Sequence, residues 1–292
     1  MDEPDERFRV LVRRLADMSE RDYYNPYRLF EWPRELDGDA YWMSPDLMVE
    51  TETAAGAGLS EQQLRALSKW SSVNFYSLNV HGIRELLVEM VNRIHRPGFE
   101  VPSEYFHHVI GEENEHMWFF ATFCRKYGGK IYPDRSVPFP GPADPAIADF
   151  LVFARLLIFE ELVDYFNSRM ALDERLPETI RRLNAVHHQD ESRHIAFGRR
   201  IVALLHEGLR AGSSAEQLHE VGEYLRRYMR TSVAGLCLPD VYLDAGIDEP
   251  YAFRRSVLAD PGFEAFAERV LHRTTTFLVS SGIVSDERIA TS

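Results

Sequence analysis

GEENEHMWFF, residues 111–120, places a carboxylate where an apolar residue belongs. Phe106, Ile110, Glu113, Met117 and Phe120 recur at helical spacing, so Glu113 falls on an otherwise apolar helix face. His116 follows three residues later, and that spacing puts both side chains on one face. A carboxylate buried without a partner costs on the order of several kcal/mol or gives up its charge, and a cation removes that cost. The same unit recurs in HHQDESRHIAFG, residues 187–198. There the inner stripe runs Leu183, His187, Glu191, His194, Phe197 and Ile201. One Glu-x-x-His pair arises readily by chance on a surface helix. Two, each on an inward face, point to metal held by oxygen and nitrogen ligands.

Working outward, each unit needs a carboxylate from the helix before it. Glu160 and Glu161 lie in LLIFEELVDYF, 31 and 30 residues before Glu191. Both continue apolar stripes, and since neighbours on a helix point about 100° apart, one of them is expected to reach the metals. Glu85, in HGIRELLVEM, lies 28 residues before Glu113 and is placed inside with Val73, Ser77, His81 and Val88; Glu89 is the fallback. Two divalent ions would then be balanced by four carboxylates, a neutral cluster that a poorly solvated core tolerates. His187, one turn before Glu191, adds a third nitrogen ligand. His188 points elsewhere, and His107 and His108 read as surface or packing residues.

Turn and cap signals fix the helices that carry these residues. Ser60 with Gln63 forms a capping-box pattern, and a helix should run from there to Arg96, before Pro97-Gly98. Further helices are expected over about 103–127, 146–172, 177–212 and 214–235, the last capped by Ser213 with Glu216. Shorter ones should fill 249–258 and 262–281, and another 5–18. The proline-rich PDRSVPFPGPADP joins the second and third long helices. Nothing reads as a strand. The expected fold is therefore all-α: a ferritin-like four-helix bundle with additional helices and an irregular N-terminal arm. We divide it into a helix and arm over 1–59, a di-iron bundle over 60–212, and C-terminal helices over 213–292 packed on the bundle as one domain.

Bulk properties exclude several classes. The formal net charge of −13 opposes phosphate backbones, so no nucleic-acid partner is expected. No apolar run reaches the roughly 20 residues that span a bilayer. The opening MDEPDERFRV is acidic and polar, unlike a signal peptide, which gives a cytoplasmic expectation. Cys124 and Cys237 are too few for an Fe–S cluster or a structural zinc site and read as buried apolar residues.

The series Glu85, Glu113-Asn-Glu-His116, Glu160 and His187-His-Gln-Asp-Glu191-Ser-Arg-His194 resembles the p-aminobenzoate N-oxygenase family of di-iron proteins over roughly residues 60–210. His187 carries the resemblance most specifically. It implies two iron ions, with manganese acceptable in one position, ligated by Glu85, Glu113, His116, Glu160, His187, Glu191 and His194. The interval of 31 residues favours Glu160 over Glu161. It further implies a monooxygenase of secondary metabolism: O2 activation through a peroxo-type oxidant and oxidation of an amine. No dinucleotide or flavin motif is present, so electrons are expected from an external reductase, or peroxide replaces them. Trp118, Phe119, Phe120, Phe159 and Phe166 are candidate cavity walls, and Arg84, Arg155, Arg193 and Arg199 are candidate anchors for a substrate carboxylate. The segments flanking the bundle suit a lid or a homodimer surface. A di-iron oxidase acting on a fatty or amino acid is the alternative, and a ferroxidase is a third reading that the added length disfavours.

Overall fold

A computed structural model describes residues 6–134 and 144–289, and among them every regular element is helical. Most of the proline-rich crossover lies outside the described residues. Helix α1 (Glu6–Arg21) buries Phe8, Val12, Leu15 and Ser19, a single stripe that lies on the bundle. The arm then holds a short α2 (Pro26–Leu29), capped by Asn25, and three 3₁₀ turns. Trp42 of the arm is buried against Phe123 and Tyr127, as an arm packed on the body requires.

The bundle consists of α3 (Glu61–Val91), α4 (Glu100–Phe123), α5 (Pro145–Met170) and α6 (Glu178–Gly212). The Ser60–Gln63 capping box forms as expected. Helix α3 ends at Val91, earlier than expected, and a turn leads through His95 (φ 58°) and Gly98 (φ 89°) into α4. Helix α4 passes into a π-helical turn over Cys124–Gly128, and the left-handed Gly129 ends it. Pro145 opens α5 behind Asp144, whose carboxylate accepts from the amides of Ala146 and Ile147. Helices pair as α3 with α4 and α5 with α6. Gly82 lets α3 approach α5: a Cβ there would stand 2.3 Å from the Phe159 ring.

Helices α7 (Ala215–Ala234), α8 (Pro239–Asp244), α9 (Pro250–Ala259) and α10 (Pro261–Ser280) follow. The capping box of α7 is Ser214 with Gln217, one residue beyond the expected Ser213 and Glu216. The sequence SSAEQ offers both registers, and periodicity does not separate them. Helices α7 and α10 rest on α5, and α8 rests on α3. The buried apolar residues of arm, bundle and C-terminal helices form one continuous cluster. Cys124 and Cys237 are buried free thiols. No helix among the described residues is long and apolar enough to cross a membrane.

Candidate metal centre

Six of the seven candidate ligands converge in the bundle core. Glu113, His116, His187 and Glu191 form one group whose donor atoms lie within 4.8 Å of one another, and Glu113, Glu160, Glu191 and His194 form a second. Glu113 and Glu191 belong to both. Two overlapping quartets sharing two carboxylates are what a pair of bridged ions needs. His187 Nε2 lies 2.9 Å from Glu191 Oε1, and the His116 and His187 rings meet edge to face at 4.4 Å.

The donors themselves fit a metal pair. Glu113 Oε1, Glu191 Oε2, His116 Nδ1, His187 Nε2 and His194 Nδ1 are buried and make no hydrogen bond, even though His194 Nδ1 and Glu113 Oε1 stand 2.9 Å apart. Buried polar atoms left without partners are rare, because each forfeits its hydration. Here five face one another, and cations between them would satisfy all five.

The opposite nitrogen of each histidine is anchored. His116 Nε2 donates to Asp190 at 3.0 Å, and His194 Nε2 donates to Glu112 at 2.8 Å. His187 Nδ1 pairs with the side-chain amide of Asn167 at 2.5 Å. The two carboxylates fix ring orientation and tautomer at His116 and His194 and raise their basicity as ligands. The acids that serve two of the rings are crossed: Asp190 of α6 holds the histidine of α4, and Glu112 of α4 holds the histidine of α6. Arg193 joins them, donating to Glu112 at 2.7 Å and Asp190 at 2.6 Å. Tyr24, from the arm, adds a hydrogen bond to Asp190 at 2.9 Å. Sequence reasoning missed Glu112, Asp190, Asn167 and Tyr24. One signal was present for two of them: an acid precedes the glutamate in both units, Glu112-Glu113 and Asp190-Glu191.

Glu85 does not join the cluster. Its side chain is half exposed and pairs with Arg155 at 2.7 Å. The stripe that placed it inside steps by four residues, and each such step drifts about 40°, so twelve residues from Val73 turn it by about 120°. The fallback Glu89 pairs with Arg93. Glu160 and Glu161 are both buried, but only Glu160 faces the cluster; Glu161 accepts from Arg199 and Thr274 at 2.6 Å each. His188 pairs with Asp164, and His107 with His95 at 3.1 Å, both away from the cluster.

The four candidate arginines all have carboxylate partners: Arg84 with Asp134, Arg155 with Glu85, Arg193 with Glu112 and Asp190, Arg199 with Glu161. A cavity of about 10 Å³ lies beside Glu160 and His194. That is roughly the room one water requires. Its walls are Met90, Val109, Phe153, Leu156, Leu157 and Phe197. Of the expected wall residues, Phe119 and Phe120 instead pack on His187, and Phe166 stacks on Phe75.

Glu160 and Glu161 give a direct test of the assignment. Glu160→Ala is expected to empty one of two metal positions and abolish turnover. Glu161→Ala should leave metal content unchanged, at a stability cost of about 1–3 kcal/mol from the Arg199 and Thr274 donors it abandons. Metal analysis of both variants decides it, and the reverse ranking would move the ligand to Glu161.

Protonation supplies a second test. Burial, and then the charge of Glu191, raise the Glu160 carboxyl well above its ordinary value. Burial works against a charged His116, but Glu113 and Asp190 outweigh it and raise the ring to about 10. The His116 ring therefore holds its second proton at neutral pH in the metal-free protein, and the Glu160 carboxyl is biased toward its protonated form; each would give up a proton on ligating a metal. Metal uptake should release protons and weaken as pH falls. Titration calorimetry in two buffers of different ionisation enthalpy should give different heats; equal heats would contradict this reading.

Fold and site together define a ferritin-like oxidoreductase whose bundle core is fit for a dimetal cofactor. The chain belongs to the p-aminobenzoate N-oxygenase AurF family, whose model matches residues 5–282. Among solved structures it is similar to an R2-like ligand-binding oxidase with an aerobically reconstituted Mn/Fe cofactor, at 14% identity and TM-score 0.51, over 92% of this chain and 93% of that one. A point mutant of an R2-like ligand-binding oxidase, also with an aerobically reconstituted Mn/Fe cofactor, is similar at 16% identity and TM-score 0.50, over 97% and 95% of the two chains. These likenesses concern the fold. No match was found among curated proteins. As a dimetal oxygenase or oxidase of this family, the chain uses O2 and a small-molecule substrate.

Proposed function

We propose that this chain is a non-haem di-iron monooxygenase that N-oxygenates an amine, with manganese tolerated at one position. The observation that carries the reading is the double quartet of Glu113, His116, Glu160, His187, Glu191 and His194. When bound, an iron pair supplies O2 with two electrons at one place. The residues of the chain hold, orient and seal. Asp190 and Glu112 keep the Nδ1 atoms of His116 and His194 aimed at the core. Phe153, Leu156, Leu157 and Phe197 exclude water next to Glu160 and His194, which protects a reactive oxidant from side reactions.

The apolar cavity wall supports an arylamine over an amino-acid-like amine, because the arginines near the site are already engaged by carboxylates. An arylamine ring exceeds the cavity, so binding has to displace part of its wall. The same apolar wall supports the second reading, an oxidase that hydroxylates, desaturates or cleaves a fatty substrate. In either case an external reductase, or peroxide in place of O2 and electrons, completes the turnover. We place the enzyme in the cytoplasm, as a homodimer with the segments flanking residues 60–212 packed on the bundle.

Reduced, iron-loaded protein given O2 and a panel of arylamines, amino acids and fatty acids tests these readings by mass spectrometry. Hydroxylamine or nitro products from arylamines are expected. Oxidation confined to fatty acids would transfer the assignment to the second reading. Uptake of many irons per chain into a mineral core would replace both with iron storage.

A further inference from the structure

With Glu85 turned outward, α3 brings no carboxylate to the centre; the last of its buried polar side chains, after Ser68, Ser72, Asn74 and Ser77, is Asn79. Asn79 is fully buried. Its Nδ2 donates to the Phe75 carbonyl at 2.8 Å, which fixes the amide orientation, since a carbonyl can only accept. Its Oδ1 is thereby turned away from that carbonyl, and it is buried without any hydrogen-bond partner.

Helical register aims this oxygen at the bundle interior. Tyr76 looks toward α4 and α6, stacking on Phe120 at 5.0 Å and accepting from Asn184 at 2.7 Å. Gly82 looks toward Phe159 of α5. At about 100° per residue, Asn79 projects between them, about 60° from each. Its height agrees. Tyr76 is level with Asn184, and Met90 shares a cavity with Glu160 and His194, so α3 runs alongside α6 in the same direction. Three residues past Tyr76 is Asn79, and three past Asn184 is His187. The other buried α3 positions across this height, Ile83, Leu86 and Met90, are apolar.

We propose that Asn79 is the contribution of α3 to the metal centre, a neutral amide oxygen in the place a fourth carboxylate would take. This rests on the dimetal reading above. Charge supports it. Two divalent ions bring four positive charges, and Glu113, Glu160 and Glu191 bring three negative ones. Glu112 and Asp190 add two more, and Arg193 offsets one, so the buried assembly is neutral without a fourth glutamate. An acid at position 79 would leave it negative.

Mn(II) binding to the full-length, metal-free protein, followed by electron paramagnetic resonance and by thermal melts with and without Mn(II), tests the proposal. Asn79→Leu should melt no lower than wild type without metal, since an unpartnered buried oxygen is removed. It should bind one of the two Mn(II) ions about 10-fold or more weakly and show a smaller Mn(II)-induced rise in melting temperature. Asn79→Asp, nearly isosteric, should change the affinity of one ion and the spectrum of the bound Mn(II). Wild-type affinity and spectrum in Asn79→Asp would overturn the proposal even if Asn79→Leu failed to fold. So would an Asn79→Leu protein destabilised equally with and without metal, which is the signature of a packing residue. Failure of the wild type to take up Mn(II) would overturn the dimetal reading and this proposal with it.

Discussion

Glu191→Ala is expected to lose both metal ions, from about two per chain to near none, and with them all turnover. Glu191 belongs to both donor quartets. Removing it takes a donor from both quartets, so neither of two ions held there would keep its full set of ligands. Glu113→Ala should behave alike. His187→Ala, which touches one quartet only, should weaken one ion by at least the roughly 10–100-fold seen when a partner of a ligand is lost. The fold should survive in all three, because the metal-free core is built from apolar contacts of four long helices. Metal content by plasma emission and helicity by circular dichroism measure the two effects separately. A Glu191→Ala protein that keeps one tightly bound ion would show that Glu191 serves a single position.

Arg193→Leu is expected to produce the largest loss of stability. The Arg193 guanidinium is 3% exposed and bridges Glu112 and Asp190, with a further contact to Ser19 of α1. Burial works against its charge, but Glu112 and Asp190 outweigh that effect and hold Arg193 above even its high ordinary value. Taking away one partner of a buried charge cluster costs about 3–5 kcal/mol, because the remaining charges stay desolvated and unpaired. For a chain of this size that lowers the melting temperature by roughly 10 °C. Metal affinity should fall as well, since His116 and His194 lose firm anchors through Asp190 and Glu112. A melting temperature within about 2 °C of wild type would mean that water replaces the guanidinium at little cost and that Arg193 is not the keystone of this network.

Much of the centre was legible in the chain because its key pairs are local. Glu113 with His116, and Glu191 with His194, are set three residues apart, and three residues on a helix share a face whatever surrounds it. His187 sits one turn from Glu191 for the same reason. The bundle itself followed from caps and breakers, such as Ser60 with Gln63 and Gly128-Gly129, which act within a few residues.

What periodicity could not carry was direction over longer stretches or partnership across helices. Glu85 shows the first limit. A four-residue stripe slips against the 3.6-residue turn, so twelve residues sufficed to rotate a supposedly buried glutamate into contact with Arg155 and solvent. Asn79, near the middle of the buried face, carried no charge to mark it. Glu160 and Glu161 show a second limit: both lie on buried stripes of a helix enclosed by α6, α7 and α10, and only the packing of those helices separates the one facing the cluster from the one held by Arg199 and Thr274. The pairings of His116 with Asp190 and His194 with Glu112 link residues 74 and 82 apart in sequence. The sequence by itself determined which helices carry the Glu-x-x-His units, because that depends on spacing within a turn. The tertiary structure decided which carboxylates face one another in the core and which pair with histidines and arginines around it, because that depends on the angle and height at which separate helices meet.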